Sequence, residues 1–171
     1  MNKIFKVFFL FVVLFALNGA ANAQIKIAHV NTNEVMNAMP DKGKAEKKLE
    51  TYYNELQEQL KTMVTEYQNK LQEYQANAET MSNLVKQSKE KELVDLESRI
   101  TAFQTNAEAE FENKRAELLA PLLEKIQNAI NTVGKEKGYT YILDVATGTT
   151  VYIGTDAVDV TKDVKTKLGI K

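Results

Sequence analysis

Few side chains in this chain could do chemistry, and their spacing argues against most of it. The single histidine, His29, lies within the β-rich run Ile25–Val30. With no cysteine in 171 residues it has no thiol to activate, and disulfides and Cys-zinc sites are excluded as well. No Gly-x-Ser-x-Gly nucleophile elbow is present. Gly134, Gly138, Gly148 and Gly154 lack the spacing, and the following Lys-Ser/Thr, of a loop that cradles phosphate. Asp144, Asp156, Asp159 and Asp163 are dispersed, whereas a calcium loop needs acids at alternate positions around a central glycine. Asp156 and Asp159 read as loop and capping residues. His29 is therefore expected to be structural. No catalytic residue, metal site or cofactor is expected, and the protein is not expected to be an enzyme.

The remaining residues describe a scaffold. From about Lys44 to Val133 apolar residues recur at helical spacing. The first half carries Leu49, Tyr52, Leu56, Leu60, Met63, Tyr67, Leu71, Tyr74, Ala78, Met81 and Val85, in steps of three and four. Leu49, Leu60 and Leu71 stand eleven residues apart, which keeps one stripe on a nearly straight helix. Polar residues fill the opposite face. A second stripe follows with Leu93, Leu96, Ile100, Phe103, Ala107 and Phe111, continued by Leu118, Leu122 and Ile126 and widened by Leu119, Leu123, Ile130 and Val133. Two such helices joined through the polar stretch Ser82–Glu92 predict an antiparallel hairpin, each arm roughly 60 Å long at 1.5 Å per residue. Ser88 or Ser82 would cap the returning arm. Met63, Tyr67, Tyr74 and Met81 read first as hairpin core, and Leu84 and Val85 as the last knobs of the stripe. A face left open to a partner is the alternative for all six.

Pro121 sits inside the second helical pattern, where it removes a backbone donor and crowds the carbonyl of Glu117. A kink or break is expected there, marking the junction between arm and body and a hinge for the arm.

Both ends of the chain supply the body. Ile25–Val30 is a strand, and Asn31 or Thr32 caps a short helix that runs to Met39, with Glu34 in its first turn. Pro40 ends that helix and Asp41 caps the arm. After the arm, Gly134 or Gly138 stops the helix, and Tyr139–Val145 alternates as a strand. Thr147-Gly148 turns the chain, and Thr149–Ile153 is expected to return as the second strand of a β-hairpin. Asp159 or Thr161 caps a terminal helix with Val164 and Leu168 facing inward. The predicted fold class is α+β, mostly α: a small β body built from both chain ends with a long antiparallel helical hairpin inserted between them. The divisions are 24–40 and 121–171 for the body and 41–120 for the arm.

Residues 1–23 read as a cleaved signal peptide. Lys3 and Lys6 precede the apolar run Val7–Leu17, and Ala21-Asn22-Ala23 is a small-x-small site, with cleavage after Ala23. The apolar run is shorter than the roughly 20 residues a membrane-spanning helix needs, so no stable membrane insertion is expected. Without this segment the chain carries 20 basic and 23 acidic side chains, which argues against a nucleic-acid partner. A thin rod buries little core by itself, so oligomerisation is the natural remedy.

The order of these elements resembles the Skp/OmpH-like family of periplasmic chaperones. The resemblance is carried by the signal peptide, the strand Ile27-Ala28-His29-Val30-Asn31 and the Met39-Pro40 break. It continues through the long charged hairpin, Leu119–Ile126, and Lys135-Glu136-Lys137-Gly138-Tyr139 leading into Ile142-Leu143-Asp144. It implies a homotrimer in the periplasm, whose β body carries three helical hairpins around a cavity that holds unfolded outer-membrane proteins without ATP. On that reading Ile25, Ile27, Leu118, Leu122, Ile126, Ile130, Tyr141, Leu143, Val145, Val151 and Ile153 form the trimer body. Pro121 is the arm hinge, and Met63, Tyr67, Tyr74, Met81, Leu84 and Val85 contact clients. The best-known members are strongly basic and attract lipopolysaccharide. This chain is mildly acidic, so the resemblance does not carry that ligand over. A structural or adaptor coiled-coil protein of the envelope, binding one folded partner, is the competing expectation.

Overall fold

The computed structural model describes residues 25–170, so the expected signal peptide and its cleavage after Ala23 lie outside the described residues. The element order is β1 (Ile27–Val30), α1 (Thr32–Ala38), α2 (Pro40–Asn77), α3 (Asn83–Lys137), β2 (Tyr141–Asp144), β3 (Val158–Asp159) and α4 (Thr161–Lys167).

Capping chemistry sets the helix boundaries. Asn31 is extended and its side chain accepts from the Glu34 N–H, which starts α1. Met39 separates α1 from α2, and Pro40 occupies the first turn of α2, where its missing N–H costs nothing. Asp41 is therefore not the cap but a first-turn acid, bound to Lys44 and to Lys125 of α3. The arms turn over Ala78–Ser82, and Ser82 rather than Ser88 caps α3, its hydroxyl accepting from the Val85 N–H. Gly134 stays helical. Gly138 stops α3 with a left-handed backbone, φ +66°, a conformation that favours glycine. Tyr139 N–H closes this end on the Gly134 carbonyl, and the Lys26 ammonium donates to the Lys137 carbonyl while lying over the Tyr139 ring.

α3 runs unbroken through Pro121, so the expected break is absent. The lost hydrogen bond at one exposed position is outweighed by anchoring on both sides: Leu118 packs within the arm and Leu122 is buried in the body. Pro121 instead coincides with the place where burial by the body begins.

The sheet has the order β2-β1-β3, and both neighbours run parallel to β1. One face is sealed by Ala28, Val30, Val35, Met39, Leu122, Ile126, Ala129, Val133, Val160 and Val164, drawn from both ends of the chain. Asp144 ties the two ends together, accepting from the Thr32 N–H and hydroxyl. Asn31 N–H donates to the Thr161 hydroxyl, and Asp159 accepts from the Thr161 N–H at the start of α4.

One expected strand does not form within the subunit. Thr147-Gly148 turns as expected, but Thr149–Ile153 pairs with nothing. The third strand is Val158–Asp159. β2 and β3 flank β1 on opposite sides, so the chain between them passes from one edge of the sheet to the other, and the outer edge of β2 is left without a partner in the subunit.

Candidate functional site

Two surfaces are unfinished, one on the arm and one on the body. In a two-helix rod each stripe has a single neighbour to cover it. Of the residues in the two stripes between Leu49 and Leu118, only Leu56 and Leu96 are fully buried, and the others stay open in part. Polar contacts fix the register of the arms. Tyr52 hydroxyl donates to Glu110 at 2.9 Å, Lys70 pairs with Glu92, Lys89 with Glu73, and Tyr74 hydroxyl donates to Glu90. The Lys70 ammonium, through its hydrogen bond and then its charge, holds the Glu92 carboxyl below the ordinary carboxylate value. Hydrogen bonds to Glu110 and Glu90 raise the Tyr52 and Tyr74 phenols.

The six residues expected to meet partners divide along this rod. Met63, Tyr67, Tyr74 and Met81 are half-buried in the seam. Leu84 is 77% exposed at the tip, and Val85 is open beside it. Neither is the last covered knob of the stripe; both form a greasy tip. Met63 lines a shallow hollow of about 680 Å³ with Arg99 and Phe103. Tyr53, Val94 and Leu123 are also exposed, although stripe membership does not single out the first two. A second hollow, of about 260 Å³, opens between the arm helices at Leu56 and Ala107. Periodicity does not reveal it, because an alanine satisfies an apolar repeat as well as a leucine does. Residue volume along the stripe carries the signal.

On the body, the outer sheet face carries Ile27, Tyr141 and Leu143, each about half exposed, and Ile25 extends the same side of the chain. Parallel sheets are normally covered on both faces. Val151 is 98% exposed, and Tyr152 and Ile153 are open beside it. Val145 is half-buried, as are Ile130 against the core and Leu118 at the arm base. Leu122 and Ile126, however, are 5% and 2% exposed within the subunit's own core and present nothing to a neighbour. Within the subunit they build the body itself, where α3 packs that face against α4, α1 and β2.

Among the described residues the single histidine stands apart from any cluster of acids. His29 Nε2 lies 3.8 Å from Asp159 Oδ2 on the sheet. Burial pushes the Asp159 carboxyl up, but hydrogen bonds from Thr161 and the charges of His29 and Lys165 outweigh it, so the carboxyl titrates below its ordinary range. Among the described residues no group of three or more His, Cys, Asp or Glu could hold a metal ion. No described helix is long and apolar enough to cross a membrane.

Comparison with known proteins places these surfaces in context. The family model described as outer membrane protein (OmpH-like) matches residues 26–168. The chaperone protein Skp of Photorhabdus luminescens is 28% identical over 134 residues, covering 78% of this chain and 81% of its own. The chaperone protein Skp of Pectobacterium atrosepticum is 28% identical over 155 residues, covering 89% and 90%. A crystal structure from Caulobacter crescentus CB15, described as an outer membrane chaperone (OmpH-like), superposes with a TM-score of 0.72 over 86% of each chain. At 15% identity that likeness speaks for the fold alone.

Proposed function

This chain belongs to the OmpH-like family of outer membrane proteins, and from that premise we propose that it is a periplasmic chaperone, a holdase that works without ATP. Its clients on this reading are unfolded outer-membrane proteins, and its working form is a homotrimer whose arms wall a cavity. The relatives called Skp are chaperones, which is not an enzyme class. The observation that carries the reading is the half-covered arm: a continuous apolar seam stays partly open over the whole rod, flanked by charge. An unfolded β-barrel strand exposes alternating apolar residues and unpaired backbone, and aggregates through them. Many weak contacts along three arms would hold such a chain without trapping it, since each contact breaks easily while the ensemble persists. The open sheet face at Ile27, Tyr141 and Leu143, with the unpaired Thr149–Ile153 segment, supports assembly of copies through the body. Export to the periplasm rests on the sequence of residues 1–23.

The test is suppression of aggregation. Mature protein added at one trimer per client should keep several unrelated unfolded outer-membrane proteins soluble in the absence of ATP. Protection of none of them, together with tight binding of one folded envelope protein, would mark an adaptor instead.

A further inference from the structure

We propose that the hollow between α2 and α3 around Ala107 is a binding site for a single aromatic ring, occupied by a Phe, Tyr or Trp side chain of an unfolded client. The occupant, though not the site, rests on the holdase reading.

On α3, Phe103, Ala107 and Phe111 follow one another at four-residue steps along one face, with the two phenylalanines about 12 Å apart along the axis. Across the seam stand Tyr53, Leu56 and Leu60 of α2. Two bulky residues thus flank a methyl group, where the stripe elsewhere places a large side chain, and the helices cannot close the gap locally. The result is a hollow of about 260 Å³ walled by these six residues, with exposed Gln57, Gln104 and Glu108 beside them.

Its size and walls select the occupant. An apolar cavity of about 150 Å³ is large enough to bind benzene and stays dry when empty. A phenyl, phenol or indole group therefore fits the hollow here. A ring is favoured over an aliphatic group of the same size because aromatic edges and faces already dominate the walls. Tyr53 and Phe111 meet edge to face, with centroids 5.7 Å apart and planes at 70°. A ring inserted above Ala107 would meet Phe103 on one side and the Tyr53–Phe111 pair on the other, in the same edge-to-face or offset geometry. Outer-membrane barrels carry girdles of aromatic residues at both membrane interfaces, so every such client brings many rings. The hollow gives the arm a place where a side chain meets walls from both helices.

The experiment uses the full mature chain, methyl-labelled at alanine, titrated with N-acetyl-phenylalaninamide and, separately, with its saturated cyclohexyl analogue. The Ala107 methyl resonance is expected to move upfield with the aromatic probe, with a Kd of roughly 1–10 mM, as befits one small side chain. The saturated probe should bind about threefold more weakly or worse. Ala107→Leu, which fills the hollow, should abolish saturation transfer to the aromatic probe, and Ala107→Val should weaken it, each with unchanged helical circular dichroism. An unmoved Ala107 resonance, or equal binding of the two probes, would overturn the site. For the occupant, Ala107→Leu should weaken capture of an unfolded outer-membrane protein by about threefold; wild-type capture by that variant would overturn it. Ring binding by a protein that captures no client at all would leave the site standing and refute the holdase reading and its occupant together.

Discussion

Ile27 and Tyr141 stand opposite one another in parallel register, and both project from the open side of the sheet whose other side is sealed by the core. One step along, His29 pairs with Leu143 on the same face. Within one strand pair, alternation sends Ala28 and Val30 into the subunit and Ile27 outward. The division is therefore made residue by residue: Ala28 and Val30 hold the subunit together, while Ile27 is left half exposed on the other face.

Substitutions on the two sides should fail differently. Leu143→Asp places a charge on the open face, where a lone subunit tolerates it, and should yield a folded monomer by light scattering with native helical circular dichroism. Ile126→Asp places a charge 2% exposed inside the core and should cost about 3–5 kcal/mol or more, enough to unfold the body. A Leu143→Asp protein that stays assembled would sink the assignment of this face to assembly.

The unpaired segment Thr149–Ile153 should change state with assembly. Three apolar β-formers held in water are poorly placed unless a partner covers them. Hydrogen exchange at the Val151, Tyr152 and Ile153 amides is expected to be slow in the assembled protein and fast in the Leu143→Asp monomer. Equal exchange in both would show that this segment plays no part in pairing between copies.

The rod was readable from the sequence and its joints only as short sets of alternatives, for a physical reason. Helical periodicity is local, so Leu49 to Met81 declares a stripe without knowledge of its partner. Asn31, the strands around Ala28 and Ile142, and Val164 in the terminal helix were equally legible from capping and alternation, whereas the parallel pairing was not. The strand expected at Thr149–Ile153 is unpaired within the subunit, because alternation shows that a segment can pair but not what it pairs with. For Leu122 and Ile126 an apolar stripe does not say whether it meets its own subunit or another, and only their burial in the core shows what they cover within the chain. At Pro121 the helix continues, so of a kink or a break the break is excluded. The hollow at Ala107 needed volumes, which periodicity ignores.

Acid should loosen the arm. Lys70 holds the Glu92 carboxyl below its ordinary value of 4.5, and Lys125 holds Asp41 below 3.8, first through hydrogen bonds and then through charge. A carboxyl depressed in the folded state contributes stability above its unfolded pKa and loses it as pH falls through the folded pKa. These pairs are thus intact at neutrality and fail only below about pH 4.5. Both are exposed, so the loss is modest and salt at neutral pH should mimic part of it. Exchange at distal-arm amides around Leu93, corrected for intrinsic rate, should quicken between pH 7 and about pH 3.5; unchanged exchange would show that these pairs do not hold the arm.

Pro121 gives the last expectation, because α3 passes through it without breaking. The residue forfeits a hydrogen bond to Glu117 and crowds that carbonyl, a penalty of up to about 3 kcal/mol in a helix interior. We propose that this weak point, lying where the body's grip ends, is the hinge about which the arm splays. Pro121→Ala restores the donor, so it should raise stability by about 1–3 kcal/mol and stiffen the arm together. The chain has no cysteine, so a single Leu84→Cys label at the tip reports cleanly. Spin-label distance distributions between tips of one assembly should narrow in Pro121→Ala. A higher melting temperature with an unchanged distribution would make Pro121 a cost in stability that does not move the arm.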